Sequence, residues 1–503
     1  MTSFTSALPD FHAGLRISTM PKLAIALLLA GLADWLFYDQ RSGISVVVFA
    51  IALAGTALLA NCDQLAPRRA GLAGLVLLAG LVPAIEEVNA LSLFFVVLDL
   101  AMSVALVTGR ELSRITDRLA VLRDLYLIGP FRLIGDVMSS FRVHSLTRGI
   151  ALWIMPVAFA SIFVLLFANA NPLIEKWISL LNPARLFETI NIWRTLFWLS
   201  ALALVWPFIH VRWRRRKPKL PAPQVAPVAD AAPAHRDILG APEILRSLIL
   251  FNLLFAVQTL LDLIYLWGNA GLPGGISYAA YAHRGAYPLI ATALLAAAFV
   301  LVAMRPQGAA EKSPIIRPLV YIFVAQNVLL VASSILRLHL YVEIYLLTYW
   351  RIAAFVWMLL VATGLVLIVL RIWSGHSNAW LVRKNLAVLI VTLYICALTN
   401  FAAIIGSYNV AHSKQAGGQG VALDTAYLAG LGPQALPALD RATQLGVDAA
   451  CQNSTAVACT CLVRRREQLV EMQAQDMASW RSWGFRSYRL QLYLDRRARH
   501  VTD

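Results

Sequence analysis

The stretch ALSLFFVVLDLAMSVALVT, residues 90–108, decides the fold. It is close to the roughly 20 apolar residues a helix needs to cross the hydrocarbon of a bilayer. One charge, Asp99, sits at its middle. Similar runs recur at 22–38, 43–60, 70–85, 149–168, 193–211, 244–267, 285–304, 316–336, 349–371 and 382–405. The expected fold class is therefore all-α: a polytopic transmembrane helical bundle of about eleven spans with a small C-terminal extracytoplasmic domain. The run at 70–85 is short, and a re-entrant or tilted segment is a second reading of it.

Composition supports lipid as the solvent. Of the 503 residues 59% are hydrophobic and only 14% charged, and the mean hydropathy is +0.68. Soluble domains carry about 25% charged residues, so this chain cannot cover a water-facing surface. The first apolar run ends in Asp34-Trp35-Leu36-Phe37-Tyr38, which offers no small-residue cleavage site.

The net charge of +16 is spread between the apolar runs. Cytoplasmic loops of membrane proteins carry an excess of Lys and Arg. Placing the cluster Arg212-Trp213-Arg214-Arg215-Arg216-Lys217 inside puts the N-terminus inside as well. The inner connectors then hold 24 Lys and Arg and the outer hairpins 5. After eleven spans the tail from Gly406 is expected outside. This dispersal by topology argues against nucleic acid as a partner.

The expected domains are a first membrane half (1–211, six spans), a basic Pro/Ala-rich cytoplasmic linker (212–243), a second half (244–405, five spans) and the tail (406–503). In the long inner loop 109–148, Leu119, Leu122, Leu125 and Ile128 interleave with Arg114, Arg118 and Arg123. A helix lying on the inner leaflet and a solvated connector both fit. No internal repeat is evident.

The tail opens with Gly417-Gly418-Gln419-Gly420, and a short helical section follows from Leu423 to Leu439. Three of the five cysteines, Cys451, Cys459 and Cys461, lie beyond it; Cys62 falls in an inner loop and Cys396 in the last span. An outside tail is in a compartment where disulfides persist. Cys451 is expected to pair with Cys459 or Cys461, the alternative being three free thiols. No His cluster accompanies the Cys-x-Cys pair, so no metal is expected. Leu469, Met472, Met477, Trp480 and Trp483 fall roughly on one helical face.

Ionisable groups in a span cost roughly 2.5–3.5 kcal/mol at its centre on insertion scales, so those present are informative. Asp34, Glu86, Glu87, Asp262, His283, Arg284, Arg337, Glu343 and Arg351 fall toward the outer side, with Tyr281 beside His283. Asp34 or Asp262 can pair with Arg284 or Arg337. One reading is a polar binding pocket open to the outside; the other is snorkelling residues and helix-locking ion pairs. Asp99 is too deep to snorkel far, and a proton-linked site and a hydrogen bond to Ser103 or another helix both fit it. Gln258, Gln326 and Asn327 suit helix-to-helix contacts. No Walker loop, HExxH, GxSxG or dinucleotide fingerprint stands in a suitable context. No catalytic residue and no cofactor is expected.

Four stretches carry a family resemblance: Leu32 to Tyr38; Tyr278-Ala279-Ala280-Tyr281-Ala282-His283-Arg284-Gly285-Ala286-Tyr287; Tyr408-Asn409-Val410 with Leu423-Asp424-Thr425-Ala426-Tyr427-Leu428 and Ala435 to Leu439; and Trp480-Arg481-Ser482-Trp483. They resemble DUF4173, a bacterial membrane-protein family of unknown function related to the DUF4153 group. Gly484 stands where that family commonly has Asn, and His283 where it commonly has Arg. The resemblance implies a polytopic membrane protein with no established activity, and it singles out Asp34, Tyr281, Arg284, Asn409, Asp424 and Tyr427.

The expected place is a bacterial inner membrane, with the N-terminus cytoplasmic and the C-terminus periplasmic. The partners expected are the lipid bilayer and an envelope protein or lipid-linked ligand at the outer face. The function expected is non-enzymatic, in envelope sensing, signalling or assembly through the tail. Its rivals are a proton-coupled transporter or lipid flippase and a membrane-embedded transferase on lipid-linked substrates.

Overall fold

A computed structural model of the chain describes residues 19–61, 67–140, 155–157, 160, 163, 191–213, 240–268, 291, 292, 294–304, 313–446 and 462–502. All the regular structure among these is helical. The chain forms two compact units, residues 1–218 with 476–503 and residues 219–475.

In the first unit, α1 (Thr19–Phe37) and α2 (Ile44–Ala60) join through a turn in which Asp39 takes a left-handed conformation, φ 53°. Asp tolerates that region better than most residues. Helix α3 (Pro67–Glu86) and α4 (Ala90–Val107) form a tight hairpin. Asn89 stops and restarts the chain there. Its Oδ1 accepts from the Leu91 and Ser92 amides at 3.0 and 2.9 Å, and Ser92 Oγ accepts from the Asn89 amide at 2.8 Å. That reciprocal cap satisfies donors the helix leaves open. The short apolar run at 70–85 is thus part of one continuous helix of 20 residues. It begins at Pro67, a residue suited to a first helical position, and takes Arg68 and Arg69 into its first turn.

The loop after α4 folds into α5 (Ile115–Leu122), a π-helical turn (Arg123–Leu127) and α6 (Gly129–Ser140). Asp136 of α6 accepts from Trp206 Nε1 at 3.0 Å and from Arg212 Nη1 at 2.8 Å, tying it to the end of α7 (Ile192–Ile209). Leu127, Phe131 and Ile134, spaced as one helical face, are all exposed. Trp206, Phe208 and Ile209 are buried in the core with Leu100 to Ala105 of α4.

In the second unit, α8 (Ala241–Asp262) runs on through a π-helical turn to Trp267. The shorter α9 (Leu294–Ala303) follows. Then come α10 (Ile316–Tyr345), α11 (Tyr349–Ser374) and α12 (Asn378–Leu398). Phe323, Met358 and Leu365 are fully buried among them. The last expected span, 382–405, breaks at Thr399–Asn400. Asn400 Oδ1 accepts from the Ala403 amide at 3.1 Å and starts a new helix, α13 (Phe401–His412). Cap geometry of this kind outcompetes continued helix. Three short helices close the tail within this unit or lead out of it: α14 (Thr425–Gly430), α15 (Leu436–Gln444) and α16 (Leu462–Met477). The last helix, α17 (Phe485–Thr502), belongs to the first unit.

Among the described residues eight helices are long and apolar enough to cross a membrane, and Ile44–Ala60 and Leu294–Ala303 are shorter apolar ones. The expected run 149–168 lies almost wholly outside the described residues. Leu250, Leu253, Leu254, Val257 and Leu261 leave one whole side of α8 apolar and exposed. Water does not solvate such a surface and hydrocarbon does. The chain is a multi-pass membrane protein.

Candidate functional site

Two polar layers stand out, one in each unit. In the first unit Asp34, buried near the end of α1, is held by Arg194 of α7 in a two-pronged pair: Nε to Oδ1 at 3.0 Å and Nη2 to Oδ2 at 2.5 Å. The guanidinium also lies 5.2 Å over the Tyr38 ring, and Asn191 Nδ2 donates to Tyr38 Oη at 2.9 Å. Arg194 enters span six in its first turn, so a basic residue in that run was the one available signal for it.

Beside this pair the end of the chain clasps both hairpins. The Ile44 amide donates to the Trp483 carbonyl at 2.7 Å. Trp480 packs on Trp35 with ring centroids 5.6 Å apart, and Arg481 lies 4.6 Å over Trp35. Arg41 pairs with Asp476, Arg486 with Glu86 and Glu87, and Arg489 with Glu86. Gly43 permits the approach: a Cβ there would stand 2.3 Å from the Ser482 carbonyl carbon. The Trp480-Arg481-Ser482-Trp483 motif thus docks on the 38–43 turn.

In the second unit Asp262 of α8 and Arg337 of α10 form an ion pair whose side chains are 2% and 4% exposed. Gln258 Nε2 donates to the same carboxylate at 3.0 Å, and one turn on Trp267 Nε1 donates to Ser333 Oγ at 3.1 Å. The α10–α11 turn is braced from three sides. Arg351 Nη1 donates to the Tyr345 and Leu346 carbonyls. Asn409 Oδ1 accepts from the Leu347 amide at 2.6 Å, and its Nδ2 donates to the Leu347 carbonyl at 2.9 Å. Tyr427 Oη accepts from the Tyr349 amide at 3.1 Å, while Asp424 caps α14 by accepting from the Tyr427 amide at 2.9 Å. Glu343 sits on the exposed side and pairs with His339 at 3.3 Å. Tyr408 stacks on His412 at 4.0 Å; burial, then the Glu343 carboxylate, pushes its phenol up, so the ring stays neutral.

Asp99 packs against Gly80 of α3, where a Cβ would come 2.5 Å from the Asp99 Cβ. Among the described residues it has no hydrogen bond, to Ser103 or to any other group. Asn327 Nδ2 donates within its own helix, to the Phe323 carbonyl at 2.7 Å. Tyr281, His283, Arg284, Cys451, Cys459 and Cys461 lie outside the described residues. Cys396 is a free, half-buried thiol. Among the described residues no group of three or more His, Cys, Asp or Glu could hold a metal ion.

The chemistry of these layers is that of bracing. Each carboxylate is tied to a guanidinium on another helix, which joins the two helices at that level. Two carboxylates singled out in the sequence, Asp34 and Asp262, are held in this way, while Asn409, Tyr427 and Arg351 spend their polar atoms on backbone.

No curated protein and no solved structure matches the chain. A family profile described as "Domain of unknown function (DUF4153)" matches residues 23–442, leaving the Trp480–Trp483 motif beyond its end. This is the group to which the sequence motifs relate DUF4173. Since the match runs from α1 into α15 and takes in Asp34, the Asp262–Arg337 pair and the Asn409 brace, the chain belongs to the DUF4153 family.

Proposed function

We propose that this protein is a non-enzymatic inner-membrane protein of bacterial envelope sensing or assembly, with its tail at the periplasmic face as the working part. The observation that carries this reading is the clasp of residues 476–489 on the 38–43 turn and the α3–α4 hairpin. The loop charges assign both hairpins to the outside. The clasp uses several ion pairs at a wet end of the unit. Two of them, Arg41–Asp476 and Arg489–Glu86, use arginines that are half exposed, and such pairs are worth only about 0–1 kcal/mol each, so an envelope partner with matching charges can replace them, while Arg486 is buried against Glu86 and Glu87. Gly43→Ala, whose new Cβ meets backbone, should free the tail and expose it to limited proteolysis after residue 476. Gly43→Ala, and a chain ending at Gln475, should insert at wild-type levels but fail to correct the envelope-stress phenotype of a strain lacking the gene. Full correction by both would overturn the reading.

A second reading, a proton-coupled transporter, draws on the mid-span carboxylate of Asp99, which has no hydrogen-bond partner among the described residues. Such groups face steep costs in hydrocarbon and commonly mark proton paths. Asp99→Asn should then abolish proton flux into proteoliposomes while the protein stays folded in detergent. Equal flux with and without the carboxylate removes this reading.

A further inference from the structure

We propose that helices α1, α2, α4 and α7 form a slot for one acyl chain of an anionic phospholipid, with the phosphate resting on Arg194. The proposal depends neither on the tail clasp nor on Asp99.

A cavity of about 320 Å³ lies between these four helices, walled on α7 by Phe197, Ala201, Leu204 and Phe208 and opposite by Phe49 and Val97. Its lining is apolar except for two hydroxyls, and both have donated their hydrogens elsewhere. Ser200 Oγ donates to the Leu196 carbonyl at 2.6 Å, and Tyr126 Oη donates to the Val97 carbonyl at 2.8 Å. Water needs two to four polar partners to occupy a cavity, and here it would meet only the lone pairs of two hydroxyls whose hydrogens are already donated. In a bilayer the filling is hydrocarbon.

The slot has a polar end of matching chemistry. Residues 194, 197, 201, 204 and 208 fall on one face of α7 at helical spacing. Arg194 therefore heads the same stripe whose apolar members wall the cavity. Its Nε and Nη2 hold Asp34, the side chain is 54% exposed, and Nη1 has no partner among the described residues. Arg favours phosphate through paired N–H groups, and Asn191 and Tyr38 stand beside it. The dimensions select the occupant. From Phe197 to Phe208 the slot is about 16 Å deep at 1.5 Å per residue. That equals about half of a 30 Å hydrocarbon core, the depth of one leaflet, so a lipid chain fits and a spanning helix does not.

The test uses the full-length chain in vesicles of phosphatidylethanolamine and phosphatidylglycerol, doped with phosphatidylglycerol carrying a photoreactive diazirine on one acyl chain. After irradiation, adducts are mapped by mass spectrometry. The exposed face of α8 at Leu253, Leu254 and Val257 reports bulk lipid. Adducts on residues 197–208 and 46–53 should exceed those on α8 by about tenfold or more, a ratio expected of a specific site. Ala201→Phe and, from the opposite wall, Val97→Phe should each remove the excess and leave α8 labelling unchanged. Arg194→Gln should abolish the preference for the phosphatidylglycerol probe over a phosphatidylcholine probe with the same chain. Equal labelling of slot and α8, or an excess that survives both filling variants, would overturn the slot. Equal labelling by the two probes in the wild type would overturn the role of Arg194.

Discussion

Arg337→Leu should lower the stability of the second unit by about 3–5 kcal/mol, the usual cost of stranding a buried charge whose partner has been removed. Asp262 and Arg337 are almost wholly buried, one on α8 and one on α10, and Gln258 donates to the same carboxylate. Without the guanidinium the carboxylate must either stay charged away from water or take up a proton. The double variant Asp262→Leu/Arg337→Leu should recover most of the loss. Polar contacts between membrane helices average only about 0.6 kcal/mol by double-mutant cycles, so the intact pair adds little net stability. The measurement is the unfolding midpoint in detergent for the two single variants and the double. A double variant no more stable than Arg337→Leu would contradict the ion-pair account.

Asn409→Ala should cost about 2–4 kcal/mol, because it strands two backbone groups at once. Asn409 is 4% exposed, and its side chain serves both the amide and the carbonyl of Leu347. Leaving a buried donor or acceptor unmade costs roughly 1–3 kcal/mol per group. The turn it braces is also strained. Leu346 stands at φ 65°, a conformation costly for a non-glycine residue that persists only when its surroundings enforce it. Leu346 should therefore relax when the brace goes, and the amides of residues 346–349 should exchange with solvent far faster than those of α10 and α11. Asn409→Asp keeps the acceptor but sets a carboxylate against the Leu347 carbonyl, so it should fall between wild type and alanine. Unchanged exchange in Asn409→Ala would rule the brace out.

The features legible in the sequence are those set by local contacts. Apolar runs of about 20 residues had to be helices in lipid, because backbone polar groups in hydrocarbon must be satisfied within the protein and a spanning barrel strand needs only about 9–11 residues. That requirement reads directly from residues such as 90–108. Helix restarts at Asn89 and Asn400 are local too, but they depend on whether a side chain turns back to cap. The apolar run at 70–85 is therefore shorter than the helix Pro67–Glu86, and the apolar run at 382–405 contains a helix break that hydropathy does not mark. The family motifs led to Asn409, Asp424 and Tyr427 without disclosing what they do. Their work is on a turn that lies 62 residues from Asn409 and 78 from Tyr427.

The amino-acid order alone dictated the solvent and the helical class, since both depend on residues counted along the chain. It also offered Asp262 and Arg337 as possible partners. Folding in three dimensions chose among the pairings. Asp34 found Arg194, 160 positions away, and Glu86 met Arg489 across 403. No periodicity encodes such distances. They are set by which helix faces pack, and packing answers to the fit of whole surfaces, down to a glycine at position 43 that lets the end of the chain come home.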